Sequence, residues 1–360
     1  MARPETSRLI RLGIVGSHYG CTVLLPAFRA AGGFDVTALA GADATRTAQR
    51  AHANGIPRVS PGWPDLVDDA GIDAVAIAVP PHLQPEIATR ALERGKAVFA
   101  EKPLAADLAG AQMVARQAAS RPLLMIDFEF PELPAWRHAK DLLDAGAIGT
   151  LRHVNVTWML ETYATRMRLK NWKTNGAEGG GVIGNLVSHC FHYLEWFAGP
   201  LAALSARMSG LPGEAEPSES TAAISGAFAS GASLSLAMSA AAYLGSGHRI
   251  EFYGEDGTLA LANPTSDYMR GFEVWHAKRP ADALTRVDVP RDATDDPAAD
   301  ARIAPVRRLA ARFREAIETG AKPVPGLHEA LRVQLLIDAA RCSNAADGRE
   351  QPIAAMEAAA

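Results

Sequence analysis

The sequence predicts an α/β fold in two parts: an N-terminal doubly wound parallel sheet, then a C-terminal α+β domain built on an open-faced, mostly antiparallel sheet. Three observations predict it. The chain has 360 residues, more than the roughly 250–300 at which a single hydrophobic core stops growing. Over its first third, short β-branched apolar runs alternate with stretches of helical composition, the pattern of strands buried on both faces by crossover helices. Beyond Phe128 that rhythm gives way to longer strands with looser alternation, as a half-covered antiparallel sheet requires.

In the first domain, 1–128, strands are expected at 10–15, 36–40, 74–79, 98–100 and 123–128, with helices at 24–31, 46–54, 85–94 and 108–120. The second domain, 129–360, opens with a helix near 135–145, followed by strands at 152–159, 201–208, 222–228, 232–239 and 248–253. A stretch rich in Pro, Asp and Ala, 279–305, reads as a surface excursion, and helices at 306–319 and 327–346 close the chain. An open sheet face of that size needs a cover, so a homodimer or homotetramer through the second domain is expected.

Composition narrows the function. With 48% hydrophobic and 21% charged residues the chain is an ordinary globular protein, and a net charge of −4 offers no basic face to nucleic acid. Cys21, Cys190 and Cys342 are odd in number and far apart, so they form neither a disulfide framework nor a CxxC metal site, and no metal is expected. The N-terminus has a polar lead with no apolar signal segment, and no run approaches the roughly 18 apolar residues of a membrane span. A soluble, cytoplasmic protein with no membrane partner is the expectation.

The strand at 10–15 runs into Gly16-Ser17-His18-Tyr19-Gly20 and a helix. Such a turn places a pyrophosphate against backbone N–H groups at a helix N-terminus. The match to GxGxxG is imperfect, since His18 stands where glycine is usual and the turn is one residue short. Its position after the first strand of an alternating βα pattern still marks it as the nucleotide site. At the tip of the second strand, where NAD-preferring sites offer a carboxylate to the ribose, the residue is Gly41. Asp43 is placed to reach the ribose and Arg46 to pair with a 2′-phosphate, and either also suits a helix cap or the surface. The cofactor is NAD(P), with the balance leaning to NADP.

Ala78-Val79-Pro80-Pro81 at a strand end, Gly95-Lys96-Ala97-Val98 and Glu101-Lys102-Pro103 form a highly specific combination. It resembles the glucose–fructose oxidoreductase and inositol dehydrogenase (Gfo/Idh/MocA) family. The likeness continues through Leu25-Pro26-Ala27-Phe28, Ala145-Gly146-Ala147-Ile148-Gly149, Trp172-Lys173, Gly179-Gly180-Gly181 and Tyr253-Gly254-Glu255-Asp256-Gly257-Thr258. The resemblance implies a Rossmann domain, an oligomerising sheet domain, and hydride transfer between a nicotinamide and a carbinol carbon of a sugar or cyclitol. It places Val79, Pro80, Glu101 and Lys102 beside the cofactor. Lys102 follows the carboxyl end of a parallel strand, where an ammonium can stabilise charge developing on the reacting oxygen.

The second catalytic segment runs from the glycines through Asn185, His189 and His192. Spacings of four and three put these on one face of a helix. The family pattern has aspartate at the Asn185 position and often at the His192 position, so this chain departs at both. An amide orients a hydroxyl but takes no proton, which leaves the acid/base work to His189. Between the strand at 152–159 and the glycines, Arg166, Arg168, Lys170 and Lys173 are suited to grip an anion, and Tyr163 and Trp172 to stack on a sugar ring. Gln84 stands where many relatives have histidine.

The favoured reading is an NAD(P)-dependent oxidoreductase acting on a secondary alcohol or ketone of a sugar, cyclitol or nucleotide-linked sugar. Catalysis falls to Lys102, His189 and Asn185, with Tyr163, Arg166, Trp172 and His192 as further substrate contacts. Two alternatives stand: a cofactor-shuttle enzyme for elimination, epimerisation or glycoside cleavage through a transient ketone, and a non-catalytic NAD(P)- or sugar-binding regulator.

Overall fold

The computed structural model describes residues 8–118, 123–210, 218–290, 292 and 295–359, which fall into two compact units. The first unit holds β1 (Ile10–Val15), α1 (Leu25–Ala31), β2 (Phe34–Ala40), α2 (Ala44–Ala53), β3 (Arg58–Val59), α3 (Trp63–Asp68), β4 (Ala74–Ile77), α4 (Gln84–Glu93), β5 (Ala97–Ala100), α5 (Leu108–Ala118) and β6 (Leu124–Ile126). Residues 119 and 120 of the helix expected at 108–120 lie outside the described residues. The strands form one parallel sheet in the order β3-β2-β1-β4-β5-β6. The order reverses at β1, and in doubly wound sheets the crevice at that reversal is where ligands bind. The sequence pattern gave no sign of β3, two exposed residues, or of the short α3, which a Trp63-Pro64 start opens.

The core of this unit joins Phe28 of α1, Phe34 of β2, Phe99 of β5 and Phe313, with ring centroids 4.8–6.3 Å apart. Phe313 belongs to the helix Ile303–Thr319, which the sequence reading assigned to the second domain. Its buried residues Val306, Leu309, Ala310 and Phe313 join the apolar cluster of the first unit, so that helix belongs here. Chain order misplaced it, because nothing in an amphipathic pattern says which core its apolar stripe will meet.

The second unit contains α6 (Pro134–Asp144), β7 (Leu151–Met159), α7 (Tyr163–Arg166), α8 (Ser188–Ala198), β8 (Leu201–Gly210), β9 (Glu219–Phe228), β10 (Ser233–Ser239), β11 (Gly247–Gly254), β12 (Gly257–Asn263), β13 (Glu273–Lys278), β14 (Thr285–Val287) and β15 (Gln351–Pro352). They build a nine-stranded sheet, ordered β14-β13-β12-β11-β7-β10-β9-β8-β15, in which the β7–β10 pair is parallel and the other pairs antiparallel. The strands β12 to β14 were not expected. β14 falls inside the stretch read as a surface excursion, of which residues 291, 293 and 294 lie outside the described residues.

One face of this sheet buries Val154, Val156 and Trp158 of β7, Leu234, Leu236 and Met238 of β10, and Ile250 and Phe252 of β11. Trp136 of α6 stacks on Phe197 of α8 at 5.7 Å, and Phe197 meets Phe252 at 4.8 Å. The opposite face carries Asn155, Ser225, Ser235, Arg249 and Glu251. The same register puts His153, Tyr253 and Trp275 on that face, so it is mixed rather than uniformly apolar. No helix among the described residues is long and apolar enough to cross a membrane.

Candidate active site

The nucleotide end begins where β1 stops. The N–H of Gly16 bonds the carbonyl of Ala40 at 2.8 Å, which continues the sheet register. Gly16 has φ +109°, and a Cβ there would lie 2.1 Å from the carbonyl oxygen of Ala78 just past β4, so only glycine fits. Val79 and Pro80 follow directly. The helix beyond the turn starts with a π-helical turn, Gly20–Leu24, before α1 begins.

At the tip of β2 the chain has no room for a side chain. A Cβ on Gly41 would lie 2.4 Å from Thr47 Oγ1 and 3.1 Å from Ser17 Oγ. Thr47 is buried, and its hydroxyl donates to the carbonyl of Asp43 at 2.6 Å. Asp43 caps α2, its Oδ1 accepting from the Arg46 N–H at 2.9 Å, and its Oδ2 lies 3.6 Å from Arg46 Nη2. The two residues offered for ribose recognition thus engage each other. Arg50, one turn on, was not singled out by sequence, although a cation four residues after Arg46 shares its helix face. Its Nη1 lies 3.5 Å from Ser17 Oγ and its Nη2 3.3 Å from His18 Nδ1. A bare glycine turn with a hydroxyl and a guanidinium beside it fits the phosphates of a dinucleotide.

The Glu101-Lys102-Pro103 turn leaves the carboxyl end of β5, the Glu101 N–H bonding the carbonyl of Ile77 at 2.9 Å. The Lys102–Pro103 peptide is cis. Gln84, fully buried at the start of α4, donates from Nε2 to the carbonyls of Glu101 at 2.9 Å and Pro103 at 2.7 Å. The residue whose role the sequence left open therefore holds the lysine's turn from beneath.

Around Lys102 the unit gathers an acidic group that no motif announced. Asp127 follows β6, its N–H on the carbonyl of Ala100 at 2.8 Å, and is fully buried. The Tyr19 hydroxyl donates to Asp127 Oδ2 at 3.2 Å, and the Arg302 guanidinium lies 5.0 Å above the Tyr19 ring. Burial pushes the Lys102 ammonium below its ordinary pKa, against the pull of Glu129, Glu101 and Asp127. Burial raises Glu129 to about 7, with Lys102 opposing, and raises Asp127 well above the usual carboxylate range, with Glu101 and Glu129 adding to the shift.

In the second unit the triple glycine is a packing requirement. A Cβ on Gly180 would lie 1.8 Å from the Trp172 carbonyl, and one on Gly181 would lie 2.2 Å from Glu219 Oε2. Residues Ile183–Val187 then form a π-helical turn, and α8 begins only at Ser188. Asn185 thus sits in the π turn, and His189 and His192 lie on the α-helix that continues it. Asn185 lines a pocket of mixed character with Thr162, Thr165, Arg168, Lys173 and Glu219 beside Leu169 and Val182. His189 and His192 are buried on α8, and the His189 ring meets the edge of Phe130 at 5.0 Å.

Of the cationic loop, Arg168 and Lys173 reach the pocket. Tyr163 and Arg166 are exposed and pair with each other, the guanidinium 5.8 Å from the ring, and Lys173 lies 5.8 Å from the Trp172 ring. Glu219, Thr162 and Thr165 were missed, since single polar residues at strand and turn boundaries carry no periodic signal.

A parallel sheet reversing at β1, a glycine turn at that reversal and a lysine at the end of β5 define a dinucleotide-dependent oxidoreductase. Residues 10–128 match the model of the oxidoreductase family with an NAD-binding Rossmann fold, and residues 136–260 match that of the GFO/IDH/MocA C-terminal domain. The chain belongs to the Gfo/Idh/MocA family and is an NAD-binding oxidoreductase, as the sequence resemblance implied. It is 31% identical over 347 residues to an uncharacterized oxidoreductase of Synechocystis, covering 91% of this chain and 92% of that protein. Over 173 residues it is 28% identical to levoglucosan dehydrogenase of Pseudarthrobacter phenanthrenivorans, a match spanning 48% of this chain and 44% of that enzyme. It is 33% identical to dTDP-3,4-didehydro-2,6-dideoxy-alpha-D-glucose 3-reductase of Streptomyces violaceoruber, over 43% of this chain and 46% of the reductase. The solved structure of levoglucosan dehydrogenase with NADH shares the fold, with a TM-score of 0.85 at 22% identity over 96% of this chain and 99% of that one.

Proposed function

We propose that the chain catalyses reversible hydride transfer at a secondary alcohol or ketone of a sugar, cyclitol or nucleotide-linked sugar, with Lys102 as the group that stabilises the reacting oxygen. The observation that carries this reading is the turn of Lys102, set at the carboxyl end of β5 and held by Gln84. Bound NAD(P) supplies the hydride acceptor or donor. The ammonium of Lys102 hydrogen-bonds the carbinol oxygen and offsets the negative charge that grows there as the O–H proton leaves. His189 takes or returns that proton, and Asn185 orients the substrate. A pocket wall of hydroxyls, an amide and charges of both signs suits a polyhydroxylated ligand. Relatives named inositol 2-dehydrogenase and levoglucosan dehydrogenase support that substrate class.

For the cofactor, the reading is that NADP binds at least as tightly as NAD. Gly41 offers the ribose no carboxylate, and Arg46 and Arg50 bring two cations to the same helix. Fluorescence titration with both cofactors tests it, and a preference for NAD that survives Arg46→Ala and Arg50→Ala overturns it. Assembly as a dimer or tetramer belongs to the same reading, and a concentration-independent monomer in sedimentation would exclude it. The central claim is tested by mixing the protein and cofactor with a polyol panel and following nicotinamide reduction. Turnover of a cyclitol or sugar that is lost in Lys102→Met supports it, and turnover indifferent to Lys102→Met removes it.

A further inference from the structure

We propose that Glu101 and Asp127 share a single proton and act as a positioning pair for the Lys102 ammonium. The two acids directly follow the neighbouring parallel strands β5 and β6, whose last paired residues are Ala100 and Ile126, so the register sets Glu101 beside Asp127. Asp127 Oδ1 and Glu101 Oε1 are shut off from solvent and receive no hydrogen bond from any donor among the described residues. Two ionised carboxylates so placed would repel each other and leave buried lone pairs unpaired. One proton between them turns that repulsion into a short, charge-assisted O–H···O⁻ bond.

The surroundings decide how many protons the pair holds. Facing it are Lys102, Glu129, Tyr19 and Arg302. Tyr19 already spends its hydroxyl hydrogen on Asp127 Oδ2, and Arg302 sits over the Tyr19 ring while pairing with Asp300 at 2.6 Å. With one proton shared, the pair sets one negative charge against the one positive charge of Lys102, without the excess that two carboxylates would bring. The proton is also placed before any substrate arrives, so the pair needs no rearrangement during hydride transfer.

The signature is spectroscopic. The carbonyl stretch of a protonated, buried carboxyl group is followed by infrared difference spectroscopy at pH 9, where Glu129, raised only to about 7, is ionised. The band should be present in the unmodified protein and in Glu129→Gln, and absent from both Asp127→Asn and Glu101→Gln, because either amide supplies the missing donor and leaves its partner ionised. Absence of the band from the unmodified protein overturns the proposal, and this needs no variant to fold. Survival of the band in Glu101→Gln also overturns it, since that marks a lone aspartic acid. Positioning is read by the pH dependence of Lys102 acetylation, followed by peptide mass. Each single amide should leave it unchanged. The double variant should move it down by about one unit, a tenfold faster reaction at pH 8. A single variant that shifts as far as the double removes the positioning role.

Discussion

The buried amide of Gln84 donates to the carbonyl of Pro103 at 2.7 Å, with the second hydrogen of the same nitrogen directed to the carbonyl of Glu101 at 2.9 Å. One side chain therefore fixes both ends of the turn that presents Lys102. Gln84→Met keeps the volume and removes both donors, leaving two carbonyls short of a partner. It should destabilise the protein by about 1–3 kcal/mol in denaturant unfolding and lower turnover more than cofactor affinity. A loss below about 0.5 kcal/mol, the range of neutral surface changes, would show that the turn holds itself.

Replacing Lys102 by Met should lower turnover on the order of 10²–10³, the cost of removing one well-placed donor from a developing oxyanion. Cofactor affinity, read by fluorescence, should change little. A parallel loss of cofactor binding would assign the lysine to binding instead.

His189→Ala should reduce turnover by roughly 10²–10⁴ and remove the histidine limb of the pH–rate profile. His192→Ala should not. The reverse pattern would place the acid/base one helical turn further along α8.

Glu129 makes the folded protein hold a proton that the unfolded chain releases. Its folded pKa of about 7 lies above the ordinary 4.5, chiefly through burial. Between these values the native state binds more protons than the unfolded state, so its contribution to stability falls as pH rises and is lost above pH 7. In urea melts from pH 4.5 to 8, Glu129→Gln should decline less steeply than the unmodified protein. Identical slopes would mean that Glu129 titrates alike in the folded and unfolded protein.

Phe313→Ala tests the assignment of the helix Ile303–Thr319. Phe313 is fully buried and contacts Phe28 at 6.3 Å and Phe99 at 5.7 Å. Its truncation should cost about 3–5 kcal/mol and lower the melting temperature of cofactor binding. Cofactor binding with unchanged thermal stability would detach this helix from the nucleotide unit.

The strands that carry the nucleotide and Lys102 were legible in the sequence because they are buried on both faces and read as unbroken apolar runs. β1 matches its expected bounds residue for residue, and β5 falls within one residue of them. What failed to show was long-range. The acids Asp127 and Glu129 come to Lys102 only because β6 lies beside β5, a neighbour relation that no local spacing encodes. The π turns at Gly20–Leu24 and Ile183–Val187 were likewise invisible, since one extra residue in a helical turn leaves composition unchanged. Asn185 was found by residue type, and the π turn that carries it was not.

The crowding at Gly41 limits how this enzyme's coenzyme preference can drift. Installing an acidic residue there, the simplest route to a ribose partner, would drive a new Cβ to within 2.4 Å of Thr47 Oγ1. Thr47 cannot step aside without surrendering its 2.6 Å bond to Asp43, the residue that caps α2. Position 47 must therefore change with it, at the cost of that bond, and Ser17, whose Oγ would lie 3.1 Å from the same Cβ, must give as well. The two sites are epistatic: a single-step mutational screen at 41 returns damaged helices, and a paired library over 41 and 47 is the shortest path to altered specificity.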